Sequence, residues 1–335
     1  MTQPAVLAAP LRPRETSVIY PLQPSSVGEI VPMARLLQAR GRGRLWLGQS
    51  MGLDTHQLFA ALTGMGLRIP FGSSVVLAPL RHPLDAALQA RSAAALSGAP
   101  YVAGIGPGGT DFQRMVRREA YEKPVSAVAE YLSVMRRLLA GERVDEDGVN
   151  FSTHAQLGPP ASVPVELGLG VLRPPMARAA GRVADVAITW LTPAPYIRDA
   201  LVPSLATGAG TRDRQMPRIA SVVHVAVTRP GRDIQRTAFN AAFGHLSLPH
   251  YTDMLRQAGI TADPNHPEDG AKAIVDAGVF VAGTPQEIAD GLDAYRHAGV
   301  DEVILNVCGV TRSEGLGAGL RDLTEILETI DDRQA

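Results

Sequence analysis

The sequence predicts an α/β fold, a single (β/α)8 TIM barrel, on three observations. Short, nearly continuous apolar runs alternate with amphipathic stretches, the pattern of a parallel sheet covered on both faces. Eight such units follow one another in 335 residues, which favours closure into a barrel over an open sheet. No first strand runs directly into a glycine fingerprint, which weighs against a doubly wound sheet of two halves.

The elements read in order. Ser17–Tyr20 is the first strand, followed by a helical stretch from Val27 to about Ala39. Gly41 and Gly43 form the turn before the second strand, Leu45–Leu47. Asp54 and Gln57 have capping-box spacing, Leu58, Ala61, Leu62 and Met65 share a helix face, and Gly66 closes that helix. Ile69–Leu77 is the third strand. Pro83 starts a helix whose buried stripe is Leu84, Ala87, Leu88 and Ala95, ending at Gly98. Tyr101–Ile105 is the fourth strand, and Pro124–Ala140 a longer helical region. Val163–Leu167, Val183–Trp190 and Ile219–Val227 are the fifth, sixth and seventh strands. Thr284 and Glu287 form a capping box with Pro285 at the first helical position. Gly299 ends that helix, and Val303–Val307 is the eighth strand. Residues 231–283 show no clear strand and read as an insertion, or lid, over the barrel mouth with helices of its own. The domain reading is one domain over residues 1–335 containing this insertion.

Composition narrows the function classes. A net charge of −1 leaves no electrostatic footprint for nucleic acid or an anionic membrane surface. The single cysteine, Cys308, allows no internal disulfide and suits a reducing cytoplasm. Met1–Arg14 lacks the charged start and apolar run of a signal peptide, and no stretch reaches the roughly 20 apolar residues of a membrane span. The expectation is a cytoplasmic protein. The eight histidines show no metal-ligand spacing, so no metal site is expected. Asp145-Glu146-Asp147 reads as a solvated turn before Gly148, and His56 as a surface residue in a first helical turn.

In such barrels chemistry collects at the C-terminal strand ends. After strand two, Gln49 and Ser50 offer an amide and a hydroxyl, against the alternative of a plain turn. After strand three, Ser73, Ser74 and Val75 place two hydroxyls at a buried strand end, where bonds to neighbouring backbone are the simpler reading. Gly106 and Gly108, after strand four, would let a flat ligand approach the backbone. Gly168, Leu169, Gly170, Val171 and Leu172 lead to a helix start primed by Pro174 and Pro175, with Met176 in its first turn and Arg173 to add charge. This is the geometry of a phosphate site. His245 and His250 lie in the insertion, where they would face a substrate.

Leu45–Ser50, Arg68–Pro83, Leu96–Gly106 and Gly283–Val303 together resemble the bacterial-luciferase-like superfamily of flavin-dependent oxidoreductases, and within it the branch that uses the deazaflavin coenzyme F420. The resemblance spans about residues 16 to 309. It implies a homodimer of barrels with the flavin or deazaflavin ring at the C-terminal mouth. It also implies a non-proline cis peptide behind the ring at Ser74-Val75, Gly106 and Gly108 beside the ring, and the cofactor phosphate at Gly168–Leu172. Where many relatives carry an acid and a histidine after strand two, this chain has Gln49 and Ser50. An acid found after strand four in some deazaflavin enzymes corresponds to Gly109. The reading is a deazaflavin-dependent reductase or dehydrogenase moving a hydride to or from a small-molecule or peptide substrate, such as an unsaturated C=C or C=N acceptor in a dehydroamino acid. In that reading Gln49 and Ser50 orient the substrate, and His245 or His250 supplies a proton. A monooxygenase using reduced FMN and oxygen is the alternative. A third reading is a non-catalytic member that binds cofactor or a partner protein, motivated by the missing acid and histidine.

Overall fold

A computed structural model describes residues 15–160 and 162–334. The Met1–Arg14 segment read above lies outside the described residues. Among the described residues, twelve strands occur in chain order: β1 (Glu15–Ile19), β2 (Leu45–Leu47), β3 (Phe71–Ser73), β4 (Val76–Leu77), β5 (Tyr101–Gly106), β6 (Arg143–Asp147), β7 (Ser152–Gln156), β8 (Val165–Gly170), β9 (Val186–Trp190), β10 (Arg218–Val227), β11 (Phe280–Gly283) and β12 (Glu302–Asn306). Eight of them, β1, β2, β3, β5, β8, β9, β10 and β12, pair in parallel in that order, and β12 returns to β1 to close the barrel. These are the eight strands the apolar runs predict.

Alternation along each strand sorts side chains into two cores. One set faces the helices and joins the large outer core. The other fills the barrel with Ile19, Trp46, Val102, Val186, Ile188, Ala220, Val222 and Ile304. Glycines make room for the large members of this set. A Cβ on Gly72 would lie 2.6 Å from the Trp46 ring, and one on Gly168 would lie 2.7 Å from Ile188. The barrel is therefore a packed interior, with function left to its ends.

The helices form where the stop and start signals stand. Asp54 Oδ1 accepts from the His56 and Gln57 N–H groups at the start of Thr55–Gly64. The Thr284–Glu287 capping box is present at the start of Pro285–His297. Gly98, in the left-handed region, ends Pro83–Ser97.

The structure corrects five sequence expectations. Of the stripe Leu84, Ala87, Leu88 and Ala95, only Ala87 is buried, Leu88 being 48% exposed; the helix instead turns its small residues Ala86, Ala87, Ala90, Ala93 and Ala94 inward, where they allow close packing. Asp145-Glu146-Asp147 belongs to β6, which pairs antiparallel with β7 outside the barrel. Its charged side chains face solvent and only Val144 is buried, so no apolar run announces it. Residues 231–283 hold helices Ile234–Leu246, Pro249–Gln257 and Pro267–Asp276. They also contain the strand β11, which extends β10 beyond the point where β9 leaves it. The fifth strand runs three residues further than predicted, because Gly168 and Gly170 are ladder residues of β8 rather than a turn. His56 is not a surface residue: its side chain is 9% exposed, with Nε2 3.0 Å from the Tyr101 hydroxyl. Among the described residues, no helix is long and apolar enough to cross a membrane.

Candidate active site

The C-terminal ends of the barrel strands form a mouth whose floor is made by Val75 and Trp190, both packed against the barrel-interior cluster. Val75 reaches this place because the chain turns sharply between β3 and β4, where the Ser74-Val75 peptide bond is cis, at the position the resemblance implies. Gly106 and Gly170 leave space for the Val75 side chain. A Cβ on Gly106 would lie 2.6 Å from Val75 Cγ2, and one on Gly170 would lie 3.4 Å from Val75 Cγ1. Gly108 adopts a φ of +71°, and Gln113 donates to its carbonyl at 2.9 Å.

The two serines diverge. The Ser73 hydroxyl accepts from Gly104 N–H at 2.9 Å and donates to the Gly104 carbonyl at 3.1 Å, tying β3 to β5. Ser74 Oγ is buried with no hydrogen-bond partner. Trp190 Nε1 is in the same position, as are both ring nitrogens of His224. Buried polar atoms are paired in the great majority of cases, and these three side chains leave hydrogen-bonding capacity open at one strand-end mouth.

Gln49 and Ser50 bond to the chain around them. The Gln49 amide donates to the Ser50 carbonyl at 2.8 Å, and its oxygen accepts from Leu77 N–H at 3.4 Å. Gln49 thus links the β2 exit to the cis-peptide segment. Ser50 Oγ accepts from the Gly52 and Leu53 N–H groups at 3.1 and 3.3 Å.

At the β8 exit, Val171 N–H bonds to the Ile188 carbonyl at 2.7 Å, and Met176 N–H to the Arg173 carbonyl at 3.1 Å. Leu169 and Val171 bury their side chains in the outer core. Among the described residues, the N–H groups of Leu172 and Arg173 make no hydrogen bond. They stand at the start of the helix Pro174–Val183, whose first two residues are prolines. The open donors at this helix terminus therefore lie just after the two glycines. Arg173 pairs with Asp253 at 2.8 Å.

His245 and His250 approach the mouth from the 231–283 segment. The His245 ring stacks on Trp190 at 5.0 Å and meets Tyr251 edge-on at 4.8 Å, and His250 lies 4.8 Å from Tyr251. Burial, then His250 and Arg312, push the His245 pKa down to about 4. Burial, then Arg173, lower that of His250. Sequence reasoning missed Trp190 and His224. Both sit in apolar strands buried on two faces, where period-two alternation is invisible. The signal available was their position, at the end of predicted strand six and near that of strand seven.

The profile of the luciferase-like monooxygenase family matches residues 11–302, and the chain belongs to this family. Two similar relatives are F420-dependent glucose-6-phosphate dehydrogenases, from Rhodococcus erythropolis (27% identical) and Nocardia farcinica (26% identical). Each alignment covers 63% of this chain and 63% of the relative. Among solved structures, an F420-dependent secondary alcohol dehydrogenase in complex with an F420-acetone adduct superposes with a TM-score of 0.74 at 15% identity, covering 95% of this chain and 99% of the other. The EDTA monooxygenase of Chelativorans sp. BNC1 superposes with a TM-score of 0.72 at 14% identity, covering 96% and 94%. At these identities the superpositions establish the barrel fold.

Proposed function

We propose that the chain is a deazaflavin-dependent oxidoreductase that transfers a hydride between the cofactor and an organic substrate. The observation that carries this reading is the mouth itself: unpartnered Ser74 Oγ, Trp190 Nε1 and His224, with open N–H groups at Leu172 and Arg173. A flat heterocycle carrying a phosphate fits that donor set. Ser74, Val75, Gly106 and Gly108 would hold the ring, and the Gly168–Leu172 exit with Arg173 and the helix start at Met176 would hold the phosphate. When bound, the deazaflavin supplies a two-electron hydride chemistry that no side chain offers. The two curated relatives are F420-dependent by name, which supports the deazaflavin over FMN.

The chain's own residues position, exclude water and handle the proton. Gln49 fixes the β2 exit against the cis-peptide segment and so sets the width of the mouth, while Ser50 holds the turn that follows it. His245 and His250, with Trp190 and Tyr251, close it with aromatic surface. The two histidines hold or release a proton at their ring nitrogens. A homodimer is the proposed assembly, supported by Leu88 and Leu96. They lie on one face of Pro83–Ser97 and are 48% and 55% exposed.

The test is a fluorescence titration of the purified protein with coenzyme F420 and FMN separately, with light scattering on the same sample. Tight F420 binding, weak FMN binding and a mass near twice 35.5 kDa are expected. Binding of FMN alone would transfer the reading to a monooxygenase using reduced FMN and oxygen; monooxygenase is the activity in the names of the family and of the EDTA monooxygenase neighbour. Binding of neither would sink both.

A further inference from the structure

The end of the barrel away from the mouth carries a groove that the reading above does not use. It has a volume of about 240 Å³ and is lined by Ala184, Asp185, Arg214, Gln215, Met216 and Pro217. Asp185 stands just before β9 and Pro217 just before β10, so the groove opens at the N-terminal ends of these two strands. The chain reaches it by a sharp turn after the helix Val202–Gly210. Asp213 takes a left-handed φ of +51°, a region that few residues other than glycine visit and that aspartate tolerates. Arg214 N–H then donates back to the Ala209 carbonyl at 3.2 Å, and the Arg214 guanidinium meets Asp185.

Asp185 is a shared carboxylate. Its Oδ1 accepts from Arg136 at 2.8 Å and from Arg214 at 3.1 Å, while Oδ2 accepts from the Leu167 N–H at 2.9 Å. Two guanidiniums therefore meet one carboxylate and leave one positive charge in excess. The bonds that the Arg214 guanidinium makes among the described residues all come from Nη2, to Asp185 and to the Ala184 carbonyl at 3.2 Å. Its Nε is buried with no partner. Buried polar atoms are rarely left unpaired, so this guanidinium has donor capacity to spare. The Arg136 and Arg214 side chains, 37% and 29% exposed, are within reach of a small solute. Beside this charge the wall is apolar, formed by Ala184, Pro217 and Met216, the last 42% exposed. A methionine left in water next to an open cation offers adaptable apolar surface.

We propose that this groove binds a small organic monocarboxylate, with the carboxylate on Arg214 and the alkyl end on Met216 and Pro217. One negative charge matches the one positive charge in excess, whereas a dianion would face the Asp185 carboxylate with charge left over. Carboxylate oxygens make charge-assisted bonds to a guanidinium. The apolar wall supplies the other half of the recognition, which an inorganic anion cannot use. Asp185 also ties three strands at this end. Its N–H donates to the Leu167 carbonyl at 2.7 Å, and its carbonyl accepts from Arg218 N–H at 3.1 Å, which joins β8 and β10 to the start of β9. A bound carboxylate relieves the repulsion between Arg136 and Arg214 at that tie, so the ligand stabilises the folded chain. The groove lies at the far end from the mouth, and the proposal stands apart from the deazaflavin reading.

The experiment titrates the full chain with sodium butyrate, with sodium acetate, inorganic phosphate and sodium chloride as separate arms at equal ionic strength. The first readout is the NMR signal of the Arg214 Nε–H, assigned from its neighbours and by its loss in Arg214→Gln. Butyrate should move it saturably in the millimolar range and bind about fivefold more tightly than acetate, the worth of two partly covered methylenes. Phosphate and chloride should bind more weakly than butyrate. The second readout is the urea unfolding midpoint, which butyrate should raise in the wild type and leave unmoved in Arg214→Gln. Met216→Ser changes an exposed side chain, so it keeps the test open if Arg214→Gln fails to fold. It should bring butyrate down to the affinity of acetate and leave acetate unchanged. An Arg214 signal that butyrate does not move saturably would overturn the proposal. So would phosphate binding as tight as that of butyrate, or butyrate affinity that Met216→Ser leaves intact. An equal rise of the midpoint in Arg214→Gln would place the binding elsewhere on the molecule and overturn it as well.

Discussion

His56 opens the helix Thr55–Gly64, where exposure would be expected, yet its side chain packs between Tyr101 and the Arg81–Asp54 ion pair. Burial first, and then Arg81, push its pKa down to about 4, while Asp54 acts the other way. The sign of the pH dependence follows. Below about pH 6.5 the unfolded chain takes up a proton that the folded one refuses, so stability falls as pH drops toward 4. The slope for one such group is about 1.4 kcal/mol per pH unit. Urea unfolding of wild type and His56→Gln at pH 7.5 and pH 5 checks this. The wild type should lose about 2 kcal/mol more than the variant across that interval. Equal losses would mean that His56 is already protonated, or solvated, in the folded protein. The residue shows what composition conceals, because a histidine in a first helical turn looks solvent-facing until the tyrosine of the fourth predicted strand is folded against it. His224 is hidden for the opposite reason, since every neighbour in its run is apolar. The Ser74-Val75 cis bond was legible through the resemblance carried by Arg68–Pro83, and the open donors of Leu172 and Arg173 were legible to within a few residues from glycine spacing and prolines.

At the scale of elements, what could be read depended on where each strand's side chains go. The barrel strands are apolar on both faces and stand out from the helices between them. The β6–β7 hairpin buries little and has no run to detect, while β11 is an apolar run of only four residues, short enough to pass for part of the insertion. The segment 231–283 matters because its second helix, Pro249–Gln257, lies against the proposed phosphate end of the mouth. Arg173 pairs with Asp253 at 2.8 Å, and Tyr196 donates to Gln257 at 3.2 Å. Both contacts hold that helix to the barrel, and the first also occupies the one arginine beside the open Leu172 and Arg173 N–H groups. Removing the competing carboxylate frees the guanidinium for an anion. Asp253→Ala should therefore bind F420 about fivefold more tightly at low ionic strength, the worth of about 1 kcal/mol for a partly exposed ion pair. The gain should shrink in high salt. A fluorescence titration at two salt concentrations measures it. Unchanged affinity at both would place the phosphate away from Arg173.

Across the whole molecule the two ends of the barrel are built differently. The mouth leaves polar atoms unpartnered. The opposite end instead gathers buried charges, with Arg44 and Arg218 against Glu166, Glu302 and Glu15, though Arg44 Nε and Nη2 and Glu15 Oε2 make no hydrogen bond. Arg218 holds Glu166 through two hydrogen bonds of 2.9 and 2.8 Å and Glu302 through one of 2.7 Å. Glu302 also accepts from Ser17 Oγ and Trp46 Nε1, each at 2.7 Å. Burial opposes the Glu302 charge, but Arg44, Arg218 and Ser17 outweigh it and hold its pKa below the ordinary carboxylate value. Two arginines here face three glutamates; burial and Glu302 raise the pKa of Glu15 while Arg44 and Arg218 lower it, so the arrangement is sensitive to the loss of either arginine. Arg218→Met keeps the apolar stem and removes the guanidinium, leaving Glu302 buried with Arg44 as its one remaining cation, 3.7 Å away. The expected cost is about 3–5 kcal/mol in denaturant unfolding at pH 7, the penalty for an uncompensated buried charge. Without Arg218 the Glu302 pKa rises, so the variant should regain part of its stability as pH falls toward 5. Glu302→Gln in the same chain should restore part of it at pH 7. Cofactor affinity, set at the far end of the barrel, should stay within twofold in the folded variant. A drop in affinity larger than the loss of folded protein explains would show that the two ends are coupled through the interior layer of Trp46 and Ile188, and the division of the barrel into a stabilising base and a functional mouth would fail.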